Sequence, residues 1–386
     1  MIGHRTGLRR AVVALAAVIP LGVVVGAPAP ALADVPPLQK QWHLDALRIK
    51  EVHRVSTGAG VVVAVVDTGV YADHPDLAGQ VLDGKRMIGT DDKGKVDERN
   101  HGTGVAGLIA ARGGGAGHAL GIAPGAKILP VTIATNTFAG SNMPDGIRYA
   151  VDHGAKVINL SNGGPTTSPD LDEAVRYAQS KDVVVVAAAG NTAQGDTGVL
   201  YPARLPGVIA VAATDRQGAA WSGSVRGEQI AIAAPGADVS TTAGRWPDLR
   251  EGGYLTVEGG TSAATAVVSG AAALIRAKYP EASAAQVVDR LVKTAVDAGP
   301  PGRDSEYGFG RLDLVKALTT DLAPVDANPL GAMPAAEAAD ENTVEGSGFD
   351  FGPLVAVAGA LVLLVFVVVL VVVVLVNRRG RGPAHH

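Results

Sequence analysis

Val183-Val184-Val185-Val186-Ala187-Ala188-Ala189-Gly190-Asn191 is the stretch on which the fold turns. An unbroken apolar run with four β-branched residues leaves no polar face, so a strand here is covered on both sides. Strands of that kind belong to parallel sheets with helices packed above and below. Working outward, strand candidates recur at Val61–Val66, Lys127–Ile133, Lys156–Ser161, Val208–Ala212 and Ile230–Ala233. Between them, Gly102–Arg112, Pro144–His153, Pro169–Lys181, Ser262–Lys278 and Ala284–Ala295 read as helices. The alternation predicts an α/β, three-layer fold with a mostly parallel central sheet over residues 56–320. In such sheets functional residues gather beyond the carboxyl ends of the strands.

Composition narrows the function classes. The chain has 386 residues, 47% of them hydrophobic, and a mean hydropathy of +0.23. That excludes general disorder, and the absence of cysteine excludes disulfide scaffolds and cysteine-ligated zinc. A net charge of −4 offers no broad basic surface for nucleic acid.

Much of the hydrophobicity sits at the ends. Arg5, Arg9 and Arg10 precede an apolar stretch, Ala11 to Val25, and an Ala31-Leu32-Ala33 cleavage-type site, so residues 1–33 read as a secretory signal peptide. Leu354 to Val376 runs 23 residues without a polar side chain, long enough to cross a roughly 30 Å hydrocarbon layer. Arg378, Arg379 and Arg381 follow, which predicts a single-pass protein with residues 377–386 as a basic cytoplasmic tail. The expected location is the cell membrane, with the folded domain extracytoplasmic. Residues 34–55 read as an N-terminal extension and 321–353 as a flexible acidic linker. Six of the 33 basic residues flank the two apolar segments and none of the 37 acidic ones does, leaving residues 34–352 with a charge of −10.

Four residues stand where chemistry is expected. Asp67 follows Val63-Ala64-Val65-Val66 and precedes Thr68-Gly69, a place that also suits a turn aspartate. His101 opens His101-Gly102-Thr103-Gly104 at a helix start. Ser262 in Gly260-Thr261-Ser262-Ala263 suits a helix cap, or a nucleophile whose own N–H faces an oxyanion. Asn191 at the end of the opening stretch either turns the chain or aims its amide at the same oxyanion. Asp, His and Ser in that chain order match one of the convergent triads.

On these motifs the sequence resembles the subtilisin-like serine proteases, the subtilases. Val66-Asp67-Thr68-Gly69, His101-Gly102-Thr103 and Gly260-Thr261-Ser262 match the family's three catalytic motifs. Leu160-Ser161-Asn162-Gly163-Gly164-Pro165 matches its substrate strand, Gly190-Asn191 its oxyanion asparagine, and Tyr307-Gly308-Phe309-Gly310-Arg311-Leu312-Asp313 its closing motif. The resemblance covers about residues 42–319. It implies a subtilisin-like fold and a serine endopeptidase with Asp67, His101 and Ser262 catalytic and Asn191 stabilising the oxyanion. Ser161, Gly163, Gly164 and Leu200 are then expected to bind substrate, which is protein or peptide. The family often has a second His where this chain has Gly104, and Pro and His where it has Ala266 and Val267.

With signal, linker, span and tail, the chain is similar to the mycosins, membrane-anchored subtilases of type VII secretion. The resemblance implies a role in processing exported proteins and a possible type VII secretion membrane complex as partner. Its alternative is a mainly structural part in that complex. Leu200 stands where relatives often have glycine, which predicts a shallow pocket for a small P1 side chain. With only 33 residues between the cleavage site and Asp67, no inhibitory pro-domain is expected, only an extension over Val35–Val55 lying on the domain.

No cofactor is expected and no metal: the Arg112–His118 loop carries no carboxylate or amide side chain for calcium. Its glycines lack the Gly-Lys-Ser/Thr of a phosphate loop. His153 reads as a helix end, His74 as a turn, and His43 and His53 as surface positions.

Overall fold

The computed structural model describes residues 40–134, 142–244 and 253–335. The expected export signal at 1–33 and the expected span at 354–376 lie outside them. Among the described residues no helix is long and apolar enough to cross a membrane.

The opening stretch forms β5 (Val184–Ala188) of a seven-stranded sheet. Its companions are β1 (Val62–Asp67), β2 (Lys85–Arg86), β3 (Lys127–Thr132), β4 (Val157–Leu160), β6 (Ile209–Thr214) and β7 (Ile230–Pro235). The order is β2-β3-β1-β4-β5-β6-β7, every neighbouring pair parallel. Alternation along each strand divides the apolar side chains between two layers. Val63, Val65, Val184 and Val186 face one core with helices α3 (His101–Ala110) and α6 (Thr261–Lys278). Ala64, Val66, Val185 and Ala187 face the other, with α4 (Met143–Asp152) and α5 (Pro169–Ser180). This is the three-layer arrangement that the apolar runs require.

Helix α6 runs through the first layer buried on nearly every side. Only small residues permit that. A Cβ at Gly270 would lie 2.6 Å from the Cβ of Ile122. Helix α7 (Ala284–Lys293) starts at a capping box in which Ser283 and Gln286 satisfy each other's backbone N–H. Helix α8 (Leu314–Thr319) closes the described helices. An antiparallel hairpin, β8 (Ala237–Thr242) with β9 (Tyr254–Gly259), lies beside α3. It was not expected from sequence.

Several expectations change. The short helices α1 (Trp42–Ala46) and α2 (Ile49–Val52) pack the extension onto the domain. Trp42 Nε1 donates to the carbonyls of Ala237 and Asp238, and the Gln41 amide bonds Leu120 and Ser240. His43 is therefore fully buried rather than at the surface, and neither ring nitrogen has a partner among the described residues. His53 is half-buried, its Nε2 2.9 Å from the Ile122 carbonyl. His74 does sit in a turn, but a buried one, 2.9 Å from the Gly253 carbonyl.

Part of the segment expected as a linker from residue 321 is docked on the domain. Gly207 N–H donates to Leu330, Met333 N–H to Gln179 and Arg176 to Pro334, so the chain is docked to that point. Residues up to 334 form one compact unit. The glycine loop before His118 is anchored as well, with His118 Nδ1 2.5 Å from the buried Asp76 carboxylate.

Candidate active site

Asp67 ends β1, and His101 begins α3. Two backbone features bring them together. Asn100 takes a left-handed conformation (φ 64°), which turns the chain into the helix. Gly102 then presses the helix start onto the end of β1, where an added Cβ would fall 2.1 Å from the Gly69 carbonyl oxygen. The result is His101 Nδ1 at 2.8 Å from Asp67 Oδ1. That carboxylate is buried and also accepts from the Thr68 N–H at 2.7 Å, which fixes its plane.

A second carboxylate supports the pair. Asp97 is buried and accepts from Thr68 Oγ1, Arg99 N, Thr103 N and Thr103 Oγ1 at 2.6–2.9 Å. Thr68 Oγ1 in turn accepts from the Gly102 N–H at 3.0 Å. Asp97 thus ties the turn after Asp67 to the first turn of α3.

The electrostatics of His101 follow from these neighbours. Burial opposes the charged imidazole. The charge and hydrogen bond of Asp67, with the charge of Asp97, outweigh it and raise the pKa above the ordinary 6.5. The ring keeps 33% of its side chain open, so it is reachable from outside.

Ser262 is the second residue of α6, where backbone N–H groups have no carbonyl one turn back and the helix dipole is positive. Its hydroxyl donates to the Ser161 carbonyl at 2.7 Å. Ser161 Oγ sits 2.9 Å from both the Ser262 carbonyl and Asn159 Oδ1, and Asn159 Nδ2 donates to Ser269 on α6. This buried polar strap locks the end of β4 to the helix that carries Ser262. Asn159, a lone polar residue inside an apolar strand, was the sequence signal for it.

Asn191 lies after β5, with its Oδ1 accepting from Thr261 N–H at 2.9 Å and its Nδ2 facing Gln194 Oε1 at 3.2 Å. Its amide is oriented by the residue preceding Ser262. Gly163 and Gly190 both pack on Leu200. An added Cβ would meet Leu200 at 3.1 Å from the first and 2.9 Å from the second. Gly164 exchanges both backbone hydrogen bonds with Tyr201 and has open space where a side chain would be. His101 and Ser262 line one cavity of about 200 Å³.

An Asp–His pair, a serine at a helix start and an oriented asparagine at the carboxyl edge of a parallel sheet define the chemistry of acyl transfer. Residues 58–310 match the model of the subtilase family, Peptidase S8, and the chain belongs to that family. Fervidolysin of Fervidobacterium pennivorans is 37% identical over 311 residues, 73% of this chain and 44% of fervidolysin. The chain therefore spans less than half the length of that relative. Among solved structures, the MycP3 protease of the type VII (ESX-3) secretion system is 33% identical with a TM-score of 0.63, covering 75% of this chain and 90% of that one. MycP1 from Mycobacterium smegmatis gives 28% identity and a TM-score of 0.65, covering 81% of this chain and 90% of that one.

Proposed function

We propose that the chain is a serine endopeptidase in which Ser262 is the nucleophile, His101 the general base and Asp67 the group that orients and stabilises the imidazolium. The observation that carries this is the 2.8 Å Asp67–His101 pair opening on the same cavity as Ser262. Rotation about its Cα–Cβ bond takes the Ser262 hydroxyl from the Ser161 carbonyl to His101 Nε2 as substrate arrives. Ser262 Oγ attacks the scissile carbonyl while His101 takes the proton. The Ser262 N–H and the Asn191 amide receive the oxyanion, a contact of the kind worth about 2.7–4 kcal/mol. His101 then protonates the leaving amine, and water releases the acyl group by the same groups in reverse.

Substrate backbone pairs with Ser161–Gly163, where glycine lets another chain come close. Leu200, only 9% exposed, fills the space beneath Gly163 and Gly190, which favours a small P1 residue such as Ala. Likeness to MycP3 and MycP1, together with the apolar segments at both ends, supports a membrane-anchored protease that processes exported proteins beside a type VII secretion complex. Cleavage of a peptide library tests this reading. The wild type should cut after Ala, Ser or Gly, and Ser262→Ala should lose roughly 10⁴-fold or more in kcat. A profile led by Phe or Leu at P1 would remove the pocket assignment, and undiminished cleavage by Ser262→Ala would remove the nucleophile.

A further inference from the structure

We propose that a cavity between the N-terminal extension and the ends of β6 and β7 binds a carboxylate carried on an apolar stem, as in the glutamate of an acidic peptide. The site is separate from Asp67, His101 and Ser262 and goes beyond the peptidase reading. The cavity measures about 220 Å³. Three segments far apart in sequence wall it. They are the extension from Trp42 to Arg48, the turn 214–218 after β6, and residues 311–314 ahead of and into α8.

Charge singles this cavity out. Residues 34–352 carry −10, yet Arg48, Arg216 and Arg311 all line it. Asp215 and Asp313 lie among them, and both are already engaged. Asp313 pairs with Arg48 at 2.9 Å and caps α8 through the Lys316 N–H. Asp215 Oδ1 accepts the N–H groups of Gln217 and Ala219 within its own turn, each at 2.9 Å. Arg216 and Arg311 are left without a carboxylate partner among the described residues. The Arg216 guanidinium carbon lies 5.9 Å from the centre of the Trp42 ring. Arg311 Nε is buried and has no hydrogen-bond partner among the described residues. The backbone makes room for this group. At Gly218 (φ 77°) an added Cβ would fall 2.1 Å from Arg311 Nη1, so glycine lets the guanidinium lie against the turn. A buried donor left unpaired is costly, and a ligand carboxylate satisfies it with charge-assisted hydrogen bonds.

The rest of the lining decides which anion fits. Trp42, Leu47 and Leu312 are buried and give the cavity an apolar wall, which suits methylene groups better than a hydrated inorganic ion. Its place in the fold favours a peptide as carrier. The ends of β6 and β7 belong to the same sheet edge as Asp67 and Asn191. Gly236 N–H donates to the Thr214 carbonyl and Gly260 N–H to the Gly236 carbonyl, so two backbone hydrogen bonds connect the cavity wall to the chain just before Ser262.

The test measures binding of acetyl-Leu-Glu-Leu amide to the full chain in detergent, carrying Ser262→Ala so that no peptide is consumed. Calorimetry at fixed ionic strength compares it with the Gln counterpart and with inorganic phosphate. The expected result is one site per chain, with the Glu peptide about 10-fold or more tighter than the Gln peptide. Arg216→Met and Arg311→Met should each bring the Glu peptide close to the level of Gln, whereas Arg226→Met, outside the cavity, should not. Arg216 is exposed, so its variant carries the result even where Arg311→Met fails to fold. Equal affinity for the Glu and Gln peptides, or a Glu preference that survives Arg216→Met, overturns the inference. Phosphate that competes with the Glu peptide and binds as tightly reduces the cavity to a site for free anions and overturns the peptide assignment. None of these readings uses the reactivity of Ser262, so each failure leaves the peptidase reading intact.

Discussion

Asp97 shows how much of the site's geometry depends on single buried residues behind it. It binds four donors across two segments and adds negative charge near His101. Because the proposed general base must be neutral to accept a proton, the raised His101 pKa predicts an acid limb of kcat/KM above the ordinary histidine range. Asp97→Asn removes that charge, and the acid limb should move to lower pH; an unmoved limb would show that Asp97 only braces the turn. Stability runs the other way. The fold favours protonated His101, so this group's contribution is full below about 6.5 and is lost as pH rises through its raised value. Asp67, His101, Ser262 and Asn191 were readable because each ends a strand or starts a helix beside glycines. Asp97 was not, since it stands in the run Asp91–Arg99, whose charges look like any solvated loop. Only the burial created by tertiary packing separates it from Asp83 or Asp91.

Among the elements, the six strands and five helices read from apolar patterning are present, with ends shifted by one or two residues. Those strands are buried on both faces, so hydrophobicity alone marked them. The β8–β9 hairpin escaped because three of the five buried positions of β8 are polar: Ser240, Thr241 and Thr242 stand beside Ala237 and Val239. Thr241 and Thr242 face α3 and donate to the carbonyls of Gly104 and Thr103, a pattern that reads as loop in the sequence. Helix α1 was hidden for a similar reason, since Gln41 and His43 look solvent-facing and are among the most buried residues of the extension. Burial pushes the His43 pKa down to about 3, while an unfolded chain titrates it near 6.5. The unfolded state then binds the extra proton between those values, so stability is lost as pH falls through that window. At pH 4.5 the loss attributable to His43 is about 2–3 kcal/mol, from about 1.4 kcal/mol per pH unit. Urea titrations at pH 7 and 4.5 check this: His43→Leu should lose less stability on acidification than the wild type by that amount. Equal losses would mean that the extension has come off the domain before His43 titrates.

For the whole molecule, the overall hydropathy came mostly from the ends, and the folded unit itself is acidic, with docking of the chain continuing to residue 334. Sequence texture set the linker at 321 because Ala, Pro and Asp there lack any period. Residues 328–334 are held by the Leu330 carbonyl on Gly207 N–H, the Asn328 amide on the Gly207 carbonyl, Met333 N–H on the Gln179 side chain and the Pro334 carbonyl on Arg176, polar contacts that leave no apolar period in the sequence. The membrane proposal predicts that the full chain resists carbonate extraction from membranes, whereas a chain ending at Pro334 is released to the soluble fraction. Recovery of the full chain in the soluble fraction would contradict it. The claim on which the rest depends is that Ser262 is activated by His101 and Asp67. Mass-spectrometric location of a fluorophosphonate adduct tests it most directly. The account predicts one adduct per chain, on Ser262, abolished by His101→Ala and strongly slowed by Asp67→Asn. A folded wild-type domain that takes no label, or takes it elsewhere, would contradict it.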